Sequence, residues 1–303
     1  MNNRPSRASG DDRPERLPWT SPEPLPGRLL GIDAGGSATR VVLVADGQVT
    51  RRFTAPPMNA LLSADLTDRL AELIGAADAD AAGIGMPGLR SPADAASLGA
   101  ELTRRAGLPV RVAWDGETAW LGAFGTAPGI AVFAGTGSGA MGCDGERRAR
   151  AGGHGFLLGD EGSAYWIGRA AANAALRWED GMGGSAALRD AVVAATGRDL
   201  AGLIEDVHSH PGERGRLASL APVVTALAAE DEAARRIASA AAGHLAELAS
   251  AVSRRLGPLP VCGMGGVLSA PVVWDRFAEL TGAIRPLAPP EVGAALLAGG
   301  ARV

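Results

Sequence analysis

The sequence predicts an α/β protein of two domains in which one architecture occurs twice. Each half opens with an apolar strand, a turn of glycines and hydroxyl residues, and two further strands, over residues 28–53 and 129–153. Helical spacing of apolar residues follows each set of strands. A chain of 303 residues is long enough for two modest domains.

In the first half, apolar runs at 29–32 and 41–44 and a turn at "ADGQ" predict an antiparallel meander. Leu66, Leu70 and Ile74 have helical spacing. The run "AAGIGMPG" predicts a strand, and the next helix begins after an N-cap at Ser91. The run "LPVRVAW" predicts a strand that leads into a helix near Asp115.

In the second half, a meander is followed by predicted helices over 163–178, 184–196 and 231–256. The run "LPVCGMGGVLSAPVVWDRFAEL" predicts a strand, a glycine turn and a helix, and "PPEVGAALLAGG" predicts a short final helix. Residues 1–27 are rich in Pro, Arg, Ser and Asp without periodicity, so we expect a disordered leader there.

Composition excludes several classes of function. The net charge of −4 provides no general basic field for nucleic acid, and no apolar run is long enough for a membrane span. The first residues do not resemble a secretion signal, so we expect a cytoplasmic protein. Cys143 and Cys262 are too few for a disulfide framework or a four-cysteine zinc site, and we expect two free, buried thiols.

The chain contains no lysine, because all 29 basic side chains are arginine. This excludes a Walker-type phosphate loop, the strand lysine of protein kinases and Schiff-base chemistry. Any phosphate must therefore be bound by backbone N–H groups, hydroxyls, a metal ion or arginine.

Gly137, Gly139 and Gly142 have the G-x-G-x-x-G spacing of a dinucleotide-binding turn. That turn needs a helix directly after it, whereas Gly142 and Gly145 would break a helix and "CDGE" favours a hairpin. We therefore expect two hairpin turns, one from each half, to bind nucleotide phosphates across a cleft. Their residues are Gly35, Gly36, Ser37, Thr39, Gly135, Thr136, Gly137 and Ser138.

A family resemblance rests on five motifs in this order and spacing. They are "GIDAGGSATRVVLVADG", "WDGETAWLGAF", "AVFAGTGSGAMG", "GGHGFLLGDEGSAYWIGRAA" and "VCGMGGVL". Together they resemble the actin–hexokinase superfamily and, within it, the N-acetylglucosamine kinase and BadF/BadG/BcrA/BcrD-type ATPase family. The resemblance covers about residues 28–303 and implies two ribonuclease-H-like domains with a nucleotide cleft between them. It implies a first domain at 28–126, completed by a returning helix at 289–303, and a second at 127–288.

The resemblance implies an ATP-dependent kinase that phosphorylates the 6-hydroxyl of an amino sugar, most simply N-acetylglucosamine. Glucosamine or another hexosamine is the alternative substrate. The catalytic base is then Asp115, which opens a helix and also faces the sugar, with Glu117 as the second choice. Asp33 after the first strand suits Mg²⁺ bound through water. At this turn similar proteins often have Gly-Gly-Thr followed by a basic residue, whereas this chain has Gly36, Ser37 and Ala38. Ala38 removes the positive charge, which Arg40 could supply.

The remaining site residues follow from the same resemblance. Asp160 would accept hydrogen bonds from sugar hydroxyls, since carboxylates accept strongly. Further sugar contacts are expected at Asn59, Gly153, His154 and Gly155. The turn "VCGMGGVL" suits the adenosine and α-phosphate through Gly263, Gly265 and Gly266. For each residue a local structural role, such as a turn or a helix cap, is the competing explanation.

Two other classes of function stay open. A dehydratase-activating ATPase would need cysteines for a shared iron–sulfur cluster, which Cys143 and Cys262 do not resemble. A sugar-sensing regulator would need a DNA-binding domain, which the leader is too short and proline-rich to form. His208 and His210 favour a polar loop over a metal site. The sequence does not determine the oligomeric state, and a homodimer is the working hypothesis.

Overall fold

The computed structural model describes residues 15–16, 27–35, 38–58 and 65–302. It has two sheets with helices and is a mixed α/β fold, as the sequence predicts. The chain divides into one unit of Met1–Thr126 with Leu287–Val303, and a second unit of Ala127–Pro286.

The first unit is built on a six-stranded sheet with the order β1-β4-β3-β2-β5-β6. Strands β2, β3 and β4 form the predicted antiparallel meander, and β5 and β6 run parallel to β2. The strands are β1 (Glu15–Arg16), β2 (Arg28–Ala34), β3 (Thr39–Ala45), β4 (Gln48–Ala55), β5 (Ala81–Met86) and β6 (Val110–Trp114). The pairing of β1 with β4 gives the predicted disordered leader one regular element, since a backbone ladder needs no apolar periodicity.

Helices cover both faces of this sheet because side chains alternate along each strand. Leu30 and Ile32 pack on the face of α1 (Leu66–Gly75) and α2 (Pro92–Ala106). Leu29 and Val42 pack on the opposite face, against residues of the last helix, α12 (Pro290–Ala298). The helix α3 (Asp115–Phe124) packs against α12.

Glycines allow α12 to lie directly on the sheet. A Cβ at Gly31 would overlap the Glu291 carbonyl, and one at Gly83 would overlap the Ala294 carbonyl. The helix backbone therefore touches β2 and β5 without intervening side chains. This contact places the first turn of α12 against β2, the strand that ends in the first glycine turn.

The second unit contains a four-stranded sheet with the order β10-β7-β8-β9, in which β10 is parallel to β7 and the other pairs are antiparallel. Its strands are β7 (Gly129–Ala134), β8 (Ser138–Cys143), β9 (Arg148–Gly152) and β10 (Val261–Met264). Its helices are α4 (Ala164–Glu179), α5 (Ala186–Thr196), α6 (Leu200–Ser209), α7 (Arg214–Ala218), α8 (Ala221–Leu227), α9 (Glu232–Leu256), α10 (Gly266–Ser269) and α11 (Pro271–Thr281). Small buried residues such as Ala238 and Ala242 let α9 pack closely in this core.

Two local predictions are confirmed. After Gly139 the chain continues as a strand paired with β9, so the G-x-G-x-x-G spacing opens a hairpin and no helix follows it. Cys143 and Cys262 are free and buried.

The predicted polar loop around the two histidines is only partly correct. His208 lies on α6. The N-cap of this helix is Asp199, whose Oδ1 atom accepts from the Gly202 N–H at 2.8 Å. His210 follows the helix directly. Within the described ranges no helix combines the length and apolar character needed to cross a bilayer.

Candidate active site

Gly35, directly after β2, makes two backbone hydrogen bonds. The Gly35 N–H donates to the Asp33 carbonyl at 3.1 Å, and the Met58 N–H donates to the Gly35 carbonyl at 3.3 Å. Gly36 and Ser37, which we predicted to bind phosphate, lie outside the described residues, as does Asn59. Thr39 is fully buried and its hydroxyl donates to the Pro56 carbonyl at 3.0 Å, so its side chain connects the start of β3 to the residue after β4. This contact argues against its predicted role as a phosphate ligand.

Asp33 lies near the end of β2, where its side chain is 14 % exposed. Arg40, the residue opposite it on β3, approaches the Oδ2 atom to 3.5 Å. Burial, followed by the negative charges of Glu291 and Asp115, raises the pKa of Asp33 to about 7. Arg40 opposes this rise, but its own side chain is 59 % exposed and solvent weakens its effect.

Asp115 is the first residue of α3 and follows β6 directly. The N-cap position belongs to Trp114, so helix capping does not account for the Asp115 carboxylate. Its Oδ1 atom accepts from the Gly116 N–H at 2.9 Å, and the Thr118 hydroxyl donates to its carbonyl at 3.0 Å. The positive end of the helix dipole favours an ionised carboxylate there. Glu117 lies in the same first turn.

Glu291 is the acidic residue of this unit that sequence reasoning missed. It lies in the first turn of α12 and is 6 % exposed. Arg52 Nη1 approaches its Oε1 atom to 3.2 Å, whereas its Oε2 atom is buried with no hydrogen-bond partner in the described part of the chain. The sequence offers an acid at a helix start, which is common and indicates no function. Only the close contact of α12 with β2 places it near Asp33.

Asp33, Asp115 and Glu291 do not form a ready-made cage for a cation. The residues that the structure describes contain no group of three or more potential ligands arranged to hold a metal ion. Mg²⁺ needs less, because it keeps several waters and often takes one or two carboxylates together with phosphate oxygens. The raised pKa of Asp33 and the orphaned Glu291 oxygen both indicate negative charge without sufficient compensation. The donor set therefore fits a hydrated Mg²⁺ at Asp33.

In the second unit, the turn between β7 and β8 docks on the start of α4. The carbonyls of Gly135 and Thr136 accept from the N–H groups of Ala164 and Tyr165 at 2.8 and 3.4 Å. These contacts satisfy N–H groups that a helix start leaves without partners. The position of the turn is therefore fixed by the following helix.

The two hydroxyls of this turn are used differently. The Ser138 hydroxyl donates to the Glu161 carbonyl at 2.7 Å and the residue is 4 % exposed, so its proton already has an acceptor. This contact argues against Ser138 as a phosphate donor. The half-buried Thr136 hydroxyl has no hydrogen-bond partner among the described residues and stays available.

Asp160 is buried against the same turn. It has a left-handed φ of 63° and is 4 % exposed. Its Oδ1 atom accepts from the Ser138 N–H at 3.3 Å, and a Cβ at Gly137 would lie 2.8 Å from its Oδ2 atom. Burial raises the pKa of Asp160, while the Ser138 N–H and the Arg214 charge oppose the rise.

Arg214 is the second functional candidate that the sequence analysis missed. It opens the five-residue helix α7, and its Nη1 atom lies 3.9 Å from Asp160 Oδ2. Its guanidinium lies over the Phe156 ring, 5.7 Å from the centroid, and that ring contacts Tyr165 edge-on. No motif in "GERGR" indicates this approach, since more than fifty residues of chain separate the two charges.

The predicted sugar loop runs along the edge of the same turn. The Gly153 N–H donates to the Ser138 carbonyl at 3.0 Å. Gly153 and Gly155 have φ values of 71° and 81°, which explains the choice of glycine. His154 is exposed and its imidazole makes no hydrogen bond or ion pair to the described residues.

The glycines of the predicted adenosine turn are divided between β10, which contains Gly263, and the start of α10, where Gly265 is the N-cap and Gly266 the first residue. Gly263 is buried, and a Cβ there would lie 2.8 Å from the Phe277 ring, so the core accounts for this glycine. Gly265 has a φ of 98° and is exposed together with Gly266. Only these two remain as candidates for nucleotide contact.

Comparison with known proteins extends these observations. The model of the BadF/BadG/BcrA/BcrD ATPase family matches residues 30–298. An N-acetylmuramic acid/N-acetylglucosamine kinase from Clostridium acetobutylicum is 34 % identical over 170 residues. That match covers 51 % of this chain and 55 % of the relative, so the chain spans only about half of that protein's length.

Two solved structures show the same fold. A Chromobacterium violaceum protein with a provisional assignment as an N-acetylglucosamine kinase is 28 % identical, with a TM-score of 0.72. The match covers 91 % of this chain and 100 % of that one. A ROK family glucokinase from Streptomyces griseus, solved with glucose and AMPPNP, is 19 % identical with a TM-score of 0.59 over 90 % and 98 % of the two chains. At that identity the likeness concerns the fold alone.

Proposed function

The chain belongs to the BadF/BadG/BcrA/BcrD ATPase family, and we propose that it is an ATP-dependent kinase of an amino sugar. The proposed acceptor is the 6-hydroxyl of N-acetylglucosamine, with N-acetylmuramic acid, glucosamine and other hexosamines as related substrates. The name of the Clostridium acetobutylicum relative supports an N-acetylated sugar.

The observation that carries the proposal is the presence of three aspartates suited to three different tasks. Asp115 at the start of α3 is proposed to accept the proton of the attacking hydroxyl. The hydroxyl oxygen then bonds to the γ-phosphorus of ATP, and the bond from that phosphorus to the ADP oxygen breaks. Asp160 is proposed to accept hydrogen bonds from the sugar hydroxyls. It is buried, and its contact with the Ser138 N–H fixes its position.

The phosphates are proposed to contact the Thr136 hydroxyl, which has no hydrogen-bond partner among the described residues. The exposed Gly265 and Gly266 are proposed to contact the nucleotide end. Asp33 is proposed to hold Mg²⁺ through water, and the ion when bound neutralises charge on the phosphates. The acidic neighbours of Asp33 support this assignment, because they make a cation favourable there.

The buried cysteines weigh against the dehydratase-activating alternative. A cluster shared between two chains needs thiolates that are accessible from outside. Cys143 and Cys262 are buried, and burial raises the pKa of the Cys262 thiol to about 12. A sugar-sensing regulator would bind the sugar without using Asp115 as a base, so it is distinguished from a kinase by the absence of turnover. A homodimer and a cytoplasmic location stay predictions.

The test is ADP release from MgATP in the presence of each of a panel of sugars: N-acetylglucosamine, N-acetylmuramic acid, glucosamine, glucose and N-acetylmannosamine. We expect release with the N-acetylated sugars, and ³¹P and ¹H NMR of the product to place the phosphate on the 6-oxygen. Release that no sugar stimulates contradicts the proposal. Sugar binding without turnover favours the sensor, and a purified protein with iron and a brown colour favours the dehydratase activator.

A further inference from the structure

We propose that Arg214 is a specificity residue that binds a carboxylate substituent on the amino sugar. The inference rests on the proposed function, because it takes Asp160 as a sugar ligand, and it states how an amino sugar that bears an acidic group would be recognised beside one that does not. N-Acetylmuramic acid is such a sugar: it is N-acetylglucosamine with a lactyl ether that ends in a carboxylate.

The hydrogen-bonding groups of Arg214 are largely unused. A guanidinium carries five N–H donors, yet among the described residues its only ion-pair partner is Asp160 at 3.9 Å, which is longer than a hydrogen bond. Its side chain is 36 % exposed, so the remaining donors are accessible. Arginine donors in this arrangement match the two oxygens of a carboxylate.

Arg216, two residues further along, shows what a structural arginine looks like in the same segment. Its Nη1 atom contacts both Asp206 oxygens, at 2.5 and 2.7 Å, and its Nε donates to Glu213 at 2.7 Å. These contacts account for its presence without any ligand. Arg214 has no comparable set, although it lies next to the buried Asp160.

The distance between Arg214 and Asp160 suits a substituent on a bound sugar. A hydroxyl hydrogen-bonded to Asp160 Oδ2 would lie within about 7 Å of the guanidinium, given a usual hydrogen-bond length. A carboxylate two or three bonds from the sugar ring can span this distance. A sugar without the substituent would leave Arg214 in water at little cost, so both kinds of substrate can be accepted.

Arg214 is also held in place before any ligand arrives. Its guanidinium lies over the Phe156 ring, which Tyr165 contacts at 5.1 Å between centroids. A cation–π contact of this kind uses none of the N–H groups of the guanidinium as hydrogen-bond donors, so they stay available to a ligand. Less side-chain entropy is then lost when the carboxylate binds.

The experiment compares kcat/KM of wild type and Arg214→Gln for N-acetylglucosamine, N-acetylmuramic acid and the methyl ester of N-acetylmuramic acid. The ester keeps the size of the substituent and removes its charge. We expect Arg214→Gln to lower kcat/KM for the acid about tenfold to a hundredfold, with less than about threefold change for the ester and for N-acetylglucosamine. Arg214→Lys keeps the charge but loses the planar fork and should fall between the two.

Arg216→Gln is the matched control, because it removes an arginine from the same helix that already has protein partners. It should leave the ratio between acid and ester unchanged, whatever its effect on stability. Isothermal titration calorimetry with the same three sugars repeats the comparison as binding affinity, so the inference is tested even if no sugar supports turnover.

Three results would overturn the inference. Equal losses for acid and ester in Arg214→Gln would show that Arg214 only positions Asp160. A wild type that binds the ester as well as the acid would show that the charge is not recognised. A wild type that accepts N-acetylglucosamine but excludes the acid would refute the inference and leave the proposed function standing. Failure of every sugar to bind or react would instead refute the proposed function and remove this inference with it.

Discussion

Asp33 and Asp160 are both buried aspartates beside glycine turns, and their surroundings differ in sign. Asp33 has two acids nearby, Glu291 and Asp115, and one largely exposed arginine. Asp160 has backbone N–H donors and a partly exposed arginine, which together oppose the smaller effect of one acid, Glu161. In both, burial is the main cause of a raised pKa, so the pKa direction alone does not separate them.

The difference shows how neighbours divide work among chemically identical side chains. A carboxylate among other carboxylates favours the arrival of a cation, because each added negative charge makes the uncompensated site less stable. A carboxylate that accepts from N–H groups and faces an arginine is compensated in part, and it keeps acceptor capacity for further donors such as hydroxyls. The two aspartates are thus suited to a metal–phosphate role and to a sugar role.

The largest expected effect is in Asp115→Asn. If Asp115 is the base, this variant should lose about a hundredfold to ten-thousandfold in kcat, since an amide cannot accept the hydroxyl proton. Sugar and ATP dissociation constants, measured by calorimetry, should stay close to wild type. Glu117→Gln, in the same helix turn, is the control and should keep most activity. Near-normal kcat in Asp115→Asn would remove its assignment as the base.

The next effect concerns Asp160→Asn, which separates binding of the two substrates. The amide keeps the size of the side chain but accepts hydroxyl hydrogen bonds more weakly, so the KM for the sugar should rise about tenfold or more. The KM for ATP should change far less. Glu161→Gln, an exposed neighbour, should affect neither constant. Equal losses for sugar and ATP would mean that Asp160 serves the shared turn and not the sugar.

The smallest effect is on stability and tests Asp33 in the absence of Mg²⁺. The usual pKa of the Asp33 carboxyl is 3.8, and in the folded protein it is about 7. The folded protein therefore holds a proton in this pH window that the unfolded chain has released, and the free energy of unfolding falls as pH rises through it. Asp33→Asn should abolish this fall, so its advantage over wild type should grow between the two pKa values and level off at a few kcal/mol, because each unit of pKa difference corresponds to about 1.4 kcal/mol.

Urea unfolding at several pH values with EDTA measures this difference, and Asp275→Asn on the exposed side of α11 is the control. MgCl₂ added at pH 8 should recover stability in wild type and not in Asp33→Asn. Parallel pH profiles for wild type and Asp33→Asn would show that Asp33 is not held in an unfavourable charged state.

The fold was accessible from the sequence because its signals are local. The two meanders, the caps at Ser91 and Ser163, and the hairpin after Gly139 each follow from turn and cap chemistry within a few residues. The helices α7 and α8 were missed because five and seven residues carry little periodicity. The ten-residue α6 was missed although Asp199 offered a cap signal.

The site was accessible only in part. Motifs indicated Asp33, Asp115 and Asp160. They could not show that the hydroxyls of Thr39 and Ser138 donate hydrogen bonds to carbonyls of the protein. Glu291 and Arg214 were missed for a different reason: each meets its partner through contacts between elements that are far apart in the chain. Long-range contacts of this kind leave no spacing to detect.

The glycine contacts between α12 and the first sheet have a consequence for biosynthesis. The sheet strands of the first unit are translated early, but the helix that covers Gly31 and Gly83 is translated only after the whole second unit. The ribosome therefore delivers every element of the inserted unit before the earlier one can finish its core. The first unit is therefore synthesised first and completed last. Until α12 has been synthesised, one apolar face of its sheet lacks the helix that covers it.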